Sequence, residues 1–213
     1  VIIAPATANI LGKLAAGIAD DALSTFMLAV TAPRMLCPSM NSAMYENRAV
    51  QRNLDVLEQD GYVIVEPGTG ELACGTSGVG RMPEPEIIFD RLRAMLSPKD
   101  LAGKTVLVTA GPTCEAIDPV RFISNRSSGK MGYALAAAAE YRGADVVLIT
   151  GPTNLAPPVN VETVAVESAQ QMADEVFARM AGADIIIKVA AVADYRAKAA
   201  ADRKIKKNGK GTL

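Results

Sequence analysis

The chain reads as an α/β protein built on mostly parallel sheets and divided into two tandem domains. Three observations predict this. Short apolar strands alternate with helical stretches of about 10–15 residues, the rhythm of βαβ units. Hydrophobic residues make up 50% of the 213 positions and aromatics only 4%, and an abundance of Ala, Val and Ile suits helices packed on buried strands. One stretch, Ser97 to Lys104, interrupts the apolar periodicity with Pro, Gly and charge. It reads as a linker over residues 98–104, between a first domain at 1–97 and a second at 105–213.

Taken in order, the pattern predicts a strand at Val1–Ala4, a helix around Ile10–Ala19 and another over Asp21–Leu28. Arg34–Cys37 is predicted as a short strand stopped at Pro38, Asn47–Gln59 as a helix closed by Gly61, and Tyr62–Val65 as a strand. Pro67 to Pro85 is glycine-rich and is expected to be a loop, followed by a helix over Glu86–Leu96. In the second domain a strand is predicted at Thr105–Thr109 and a helix at Gly132–Arg142 that Gly143 caps. Strands at Asp145–Thr150 and Val161–Val166 follow, then a helix at Ala169–Met180 and a strand at Asp184–Val189. Ligands of such sheets gather at the carboxyl ends of strands. That rule singles out Ala4–Asn9, Cys37–Asn41, Thr109–Thr113 and Lys188–Asp194.

Composition removes several classes of function. Lys plus Arg number 22 against 23 Asp plus Glu, so no bulk charge drives binding to nucleic acid or a membrane surface. The chain contains no histidine, which excludes Ser-His-Asp triads, His-based zinc sites and His general bases within it. Its three cysteines, Cys37, Cys74 and Cys114, lack C-x-x-C spacing and imply a reducing, cytoplasmic setting rather than a disulfide framework. No run approaches the ~18–20 apolar residues of a spanning helix, and no signal peptide is visible. The chain opens without Met, already inside an apolar strand, and stops directly after a basic cluster. An internal stretch of a longer protein is expected.

The segment from Thr109-Ala110-Gly111-Pro112-Thr113 through Asp118-Pro119-Val120-Arg121 to Ser124-Asn125-Arg126-Ser127-Ser128-Gly129-Lys130-Met131-Gly132 carries the most chemistry. A strand that opens through Gly and Ser into a helix N-terminus offers backbone N–H groups and a helix dipole to an anion. It is not a Walker loop, because Met131 follows Gly129-Lys130 and Ser124 stands where the upstream Gly belongs. Ala4-Pro5-Ala6-Thr7-Ala8-Asn9 is by itself a helix entry with Thr7 or Asn9 as cap; as a small-residue shelf it also admits a flat cofactor to the backbone. In Pro38-Ser39-Met40-Asn41, the Asn is a cap or a neutral donor to a carboxylate. Cys74-Gly75 to Gly80-Arg81-Met82 has G-x-x-G-x-G spacing and no preceding strand, which argues for a flap rather than a dinucleotide fingerprint. Cys74 among glycines is read as accessible, Cys37 as buried, and Arg81 as a holder of an anionic group. Asp194 is either a helix-start residue or a ligand for a sugar hydroxyl or metal ion. Lys204-Ile205-Lys206-Lys207 is a solvated charge run unless it faces a triphosphate.

In this order, these motifs resemble the bacterial bifunctional phosphopantothenoylcysteine decarboxylase / phosphopantothenate–cysteine ligase family of coenzyme A biosynthesis, over essentially the whole chain. The first half is similar to the flavin-dependent decarboxylases through Ala4–Asn9, Pro38–Asn41 and Ala73–Met82. The second is similar to the ligase through Ala110–Thr113, Asp118–Arg121, Ile123–Gly132, Ala190–Arg196 and Lys204–Lys207. The resemblance implies two Rossmann-like domains, the first flavodoxin-like. The family's catalytic His and flavin-phosphate loop would precede Val1, and further nucleotide-binding and dimer-forming parts would follow Leu213. Cys114 stands where Arg or Gln is usual, which argues against a catalytic role for it.

The resemblance implies a ligase that joins 4′-phosphopantothenate to cysteine with CTP and Mg²⁺, through an acyl-cytidylate. Lys204 is then assigned to forming that intermediate, and Asn125 to its turnover. Lys188, Val189, Ala190 and Asp194 match the cytidine-nucleotide contacts, with Arg121, Ser127, Ser128 and Gly129 as substrate contacts. In the FMN-dependent half, Asn41 would bind the departing carboxylate and Cys74 would donate a proton in the final reduction. Ala6, Thr7 and Asn9 would contact FMN, and Met40 and Arg81 the substrate. No protein metal ligand is assigned. Homo-oligomers are implied, trimeric through the decarboxylase and dimeric through the ligase. Two rivals come from the same flavoprotein family: a single-function peptidyl-cysteine decarboxylase, against which the motifs after Lys104 speak, and a non-enzymatic regulatory subunit, against which Cys74 and Asn41 speak. A generic NAD(P)-binding domain lacks its G-x-G-x-x-G after a strand.

Overall fold

The structure, a computed structural model, describes residues 1–71 and 77–206. The chain divides into two compact units, Val1–Ser97 and Pro98–Leu213.

The first unit runs β1 (Ile2–Ala6), α1 (Ala8–Ala15), α2 (Ala22–Ala29), β2 (Arg34–Pro38), α3 (Ser42–Tyr45), α4 (Arg48–Gln59), β3 (Tyr62–Ile64), β4 (Gly68–Glu71), β5 (Ser77–Arg81) and α5 (Pro85–Leu96). Strands β1, β2 and β3 pair in parallel, in chain order. Alternation along β2 explains the layering. Leu36 faces Leu11 and Leu14 of α1 and Leu54 and Leu57 of α4, while Met35 and Cys37 face Ile88, Leu92 and Met95 of α5. The helices begin where short polar side chains satisfy first-turn amides. Thr7 accepts from Ile10 N, Asp21 forms a capping box with Ser24, and Asn47 accepts from Ala49 N. The expected loop over 67–85 instead holds an antiparallel hairpin of β4 and β5. Glycine there gives no apolar alternation, so the period that betrays a strand is missing.

The second unit runs β6 (Thr105–Ala110), β7 (Cys114–Ala116), β8 (Phe122–Ser124), α6 (Lys130–Tyr141), β9 (Asp145–Thr150), β10 (Glu162–Ala165), α7 (Ala169–Arg179) and β11 (Ile185–Lys188). The main sheet has the order β10-β9-β6-β11, parallel throughout. Helix α6 covers one face, with Tyr133, Ala136 and Ala139 on Val106, Val108, Val146 and Leu148. Met172 and Val176 of α7 cover the other, over Leu107 and Ile149. The chain winds outward from β6 to β10 and then returns to the opposite side of β6. The carboxyl ends of β6 and β11 therefore flank a switch point, where open α/β sheets bind ligands. The stretch between β6 and α6, for which no strand is predicted, contains the antiparallel pair β7–β8.

Candidate functional site

In the first unit, the carboxyl ends of β1 and β2 lie side by side. Ala6 pairs with Pro38, and Ser39 N donates to Ala6 O at 3.0 Å. Ala4, Pro5, Thr7 and Asn9 are exposed there, whereas Ala6 is fully buried and offers backbone only. Thr7 is the cap of α1. Asn41 caps α3, its Oδ1 accepting from Ala43 N at 2.8 Å. The β4–β5 hairpin closes on this loop: Met40 N donates to Gly80 O at 2.9 Å. A Cβ on Gly80, whose φ is +135°, would collide with Met40 O, and one on Gly78 with Ser42 Oγ. Glycine is therefore what lets the flap lie against Met40 and Asn41. Arg81 is exposed at the end of β5 and paired with Glu84 at 2.7 Å. Cys74 lies outside the described residues. Cys37 is buried, which pushes its thiol pKa up, so it is a core residue.

In the second unit, the loops leaving β6 and β11 are stitched together at the switch point. Ala191 N donates to Gly111 O at 2.8 Å and Thr113 N to Ala191 O at 3.3 Å, extending the ladder past the strand ends. The fully buried Thr113 accepts from Ala193 N at 2.9 Å through its hydroxyl. Asn125 spans the same junction, its amide donating to Val192 O at 2.9 Å and Ala191 O at 3.4 Å. Ser124, just before it, donates to Thr113 O at 2.8 Å.

Beside this junction begins α6. Its N-cap is Gly129 at φ +74°, with no side-chain cap and no acidic residue in the first turn. Gly111 and Gly129 approach so closely that a Cβ on Gly129 would sit 3.4 Å from Gly111 Cα and 2.8 Å from Thr153 Cγ2. Ser127 accepts from Gly129 N at 3.3 Å, and Ser128 is exposed. A helix end left without an anionic cap favours an anion.

Lys188 ends β11 and is exposed; Val189 N donates to Thr109 O at 3.3 Å, and Ala190 N to Thr109 Oγ1 at 3.4 Å. Asp194 starts no helix. It is exposed and lines a cleft of about 250 Å³ with Glu115, Gln170, Ala193, Tyr195 and Arg196. Arg121 is held by Asp118 rather than standing open, and both grip the backbone of Ile205, next to the exposed Lys204. Arg121 and the Ile205 amide hold the Asp118 carboxyl well below the usual carboxylate range. Lys207 lies outside the described residues. Thr113 and Asp118 stand in the sequence motifs without an assigned role of their own. The second had a signal: in Asp118-Pro119-Val120-Arg121, an Asp ahead of Pro marks a turn closed by its own carboxylate. Among the described residues no group of three or more Cys, Asp or Glu is placed to hold a metal ion, and no helix is long and apolar enough to cross a membrane.

The model of the DNA/pantothenate metabolism flavoprotein C-terminal domain matches residues 101–213, and that of the flavoprotein family matches residues 1–97. The chain is 52% identical over 215 residues to the coenzyme A biosynthesis bifunctional protein CoaBC of Bacillus subtilis, covering 99% of this chain and 53% of that protein. It is 50% identical over 208 residues to CoaBC of Escherichia coli K12, covering 97% of this chain and 51% of that protein. It thus spans about half the length of these curated relatives. A crystal structure of the C-terminal domain of CoaBC is 53% identical, with a TM-score of 0.47, covering 52% of this chain and 58% of that one.

Proposed function

The chain belongs to the DNA/pantothenate metabolism flavoproteins, the bacterial bifunctional decarboxylase–ligase family, and from that premise we propose that it carries parts of two active sites of coenzyme A biosynthesis. The second unit, read as the nucleotide-binding part of a Rossmann-like ligase domain, joins 4′-phosphopantothenate to cysteine at the expense of CTP. The first belongs to an FMN-dependent decarboxylase that converts the product to 4′-phosphopantetheine. The observation that carries the ligase reading is the Asn125 amide bridging the Ala191 and Val192 carbonyls at the switch point, beside the uncapped start of α6.

In the ligase step the substrate carboxylate attacks the α-phosphate of CTP, forming the acyl-cytidylate and releasing pyrophosphate. Cysteine's amine then displaces CMP. Bringing a carboxylate onto a polyanion requires positive charge preorganised around it. The amides of the first turn of α6 supply part of it, and Lys204 the mobile part. Asn125, anchored through its amide on the Ala191 and Val192 carbonyls, acts in turnover of the acyl-cytidylate. Lys188 to Ala190 and Asp194 hold the nucleotide, and Ser127 and Ser128 the substrate. Among the described residues no group of three or more Cys, Asp or Glu is placed to hold Mg²⁺, and no step is assigned to it.

The first unit fits FMN: the exposed Ala4, Pro5, Thr7 and Asn9 form a shelf without bulky side chains, bounded by Ser39 and Met40. Thr7, Asn9 and the backbone at Ala6 would hold the flavin, which supplies an electron sink for thiol oxidation and the electrons for the final reduction. Asn41 orients the carboxylate that leaves as CO₂. Cys74 holds the proton for the final reduction, and the glycine flap excludes water. The complete enzyme is proposed to be a homo-oligomer.

The test is to incubate the full-length protein with phosphopantothenate, cysteine and either CTP or ATP, and to identify products by mass spectrometry. Phosphopantetheine and CMP are expected with CTP. Lys204→Gln is expected to abolish pyrophosphate release, and Cys74→Ser to spare CO₂ release while blocking phosphopantetheine. Unchanged pyrophosphate release in the Lys204 variant would overturn the ligase assignment.

A further inference from the structure

Asp118 has no assigned role, yet its side chain has no exposed area and several donors converge on it. Val120 N and Arg121 N reach Oδ1, each at 2.9 Å. Arg121 Nε at 3.0 Å and Nη2 reach Oδ2. The last donor, Ile205 N at 3.0 Å, comes from 87 residues further along the chain. Arg121 Nη2 completes the grip by donating to Ile205 O at 2.9 Å.

One ion pair therefore holds both polar groups of a single residue. Ala201 N adds a further tie, to Ile117 O at 2.9 Å. The carbonyl of Lys204 belongs to the peptide unit whose N–H Asp118 accepts, so fixing that unit fixes the base of the Lys204 side chain. A lysine is a point charge on a flexible stem, and the position of its backbone limits where the ammonium reaches. Asp118 also offsets the charge of Arg121, so that Lys204 and Lys206 approach it with less repulsion. The turn carrying Arg121 opens β8, and Asn125 follows the end of that strand, about 13 Å away along an extended chain.

We infer that Asp118 is a positioning residue: with Arg121 it latches the segment 201–206 onto the β7–β8 hairpin, setting Lys204 in register with Asn125. What Lys204 then does rests on the ligase reading, whereas the latch rests on geometry alone.

Two variants of the full-length protein test it. Asp118→Ala removes the acceptor. Ile205→Pro removes the N–H but leaves Asp118 and Arg121 in place, although it also fixes its own φ and restricts Lys204; residue 205 is 43% exposed, and this variant serves if Asp118→Ala fails to fold. Hydrogen exchange at 201–206 is followed by mass spectrometry, and pyrophosphate release from CTP is measured against CTP concentration. Faster exchange is expected, with kcat for release lowered about tenfold or more and KM for CTP within about twofold, the split that marks loss of transition-state positioning. If the wild type releases no pyrophosphate, the ligase reading fails and the latch is judged on exchange. Unchanged exchange, or faster exchange with unchanged release, overturns the inference.

Discussion

Replacing Gly132 by alanine should loosen the second unit, although alanine is the better helix former. A Cβ built on Gly132 lies 2.5 Å from Ala110 Cβ and 3.1 Å from both Ala110 Cα and Val189 Cγ2. Carbon atoms settle at about 3.5–4.0 Å, and alanine has no rotamer through which to withdraw. Ala110 is fully buried at the end of β6, so relief requires lifting the first turn of α6 off the sheet. Overpacking of this kind costs about 1–3 kcal/mol. Because the obstacle is backbone and Cβ, the upper half of that range applies; subtracting the ~1 kcal/mol that Gly→Ala returns in helix propensity leaves a net loss of about 1–2 kcal/mol. Gly12 in α1 is the matched control. Its Cβ would meet Asn53 Nδ2 at 3.6 Å, an ordinary contact, so Gly12→Ala should gain up to about 1 kcal/mol. Urea unfolding followed by far-UV circular dichroism reads the change, and hydrogen exchange assigns it to a unit. A Gly132→Ala protein as stable as the wild type, or two substitutions that shift the midpoint in the same direction, would refute the close packing of α6 on β6.

The remaining predictions concern the two sites. Asp118 has a depressed native pKa because Arg121 and the Ile205 amide favour its charged form, so its stabilisation is present above the unfolded carboxylate value of about 3.9 and fades as pH falls below it. An acid titration of stability should flatten in Asp118→Asn, and an identical profile would exclude this source. Gly80→Ala combines an unfavourable φ with a clash against Met40 O. It should cut decarboxylation more than about tenfold by displacing the flap and leave ligation intact, as separate product assays would show; equal loss of both activities would point to unfolding instead. Asn125→Asp turns a donor into an acceptor facing the Ala191 and Val192 carbonyls, a mismatch of about 1–3 kcal/mol. Accumulated acyl-cytidylate, detected by mass spectrometry, is the expected result, and normal turnover would be evidence against the bridge.

The parallel strands were legible because burial on both faces writes itself as unbroken apolar runs: Asp145–Thr150 is a strand over the span its sequence predicts. Capping was legible for the same local reason: Thr7 and Asn41, each offered as a cap by the sequence, satisfy amides only three residues or fewer away. What escaped was structure held by distant partners. The β7–β8 pair is three residues a strand with β8 exposed throughout, so no apolar period marks it. The bond from Ile205 to Asp118 spans 87 residues and leaves no trace in either neighbourhood. The β4–β5 flap depends on absent side chains, which periodicity does not register.

The same distinction explains why Asn125 rather than Lys130 is the informative residue of the glycine–serine segment. Lys130 is the first residue of α6 and exposed; its place follows from the helix alone. Asn125 is placed by topology. The sheet order sets β11 beside β6, the crossing brings the Ala191 and Val192 carbonyls to the end of β6, and the Asn125 amide donates to both. A primary amide fixed in this way has a defined orientation and adds no charge. The latch at Asp118 extends the same logic to Lys204: a flexible cation acquires a defined approach because the backbone beneath it is held. On the proposed ligase reading, these contacts would let a fixed neutral amide and a steered cation act on one anion.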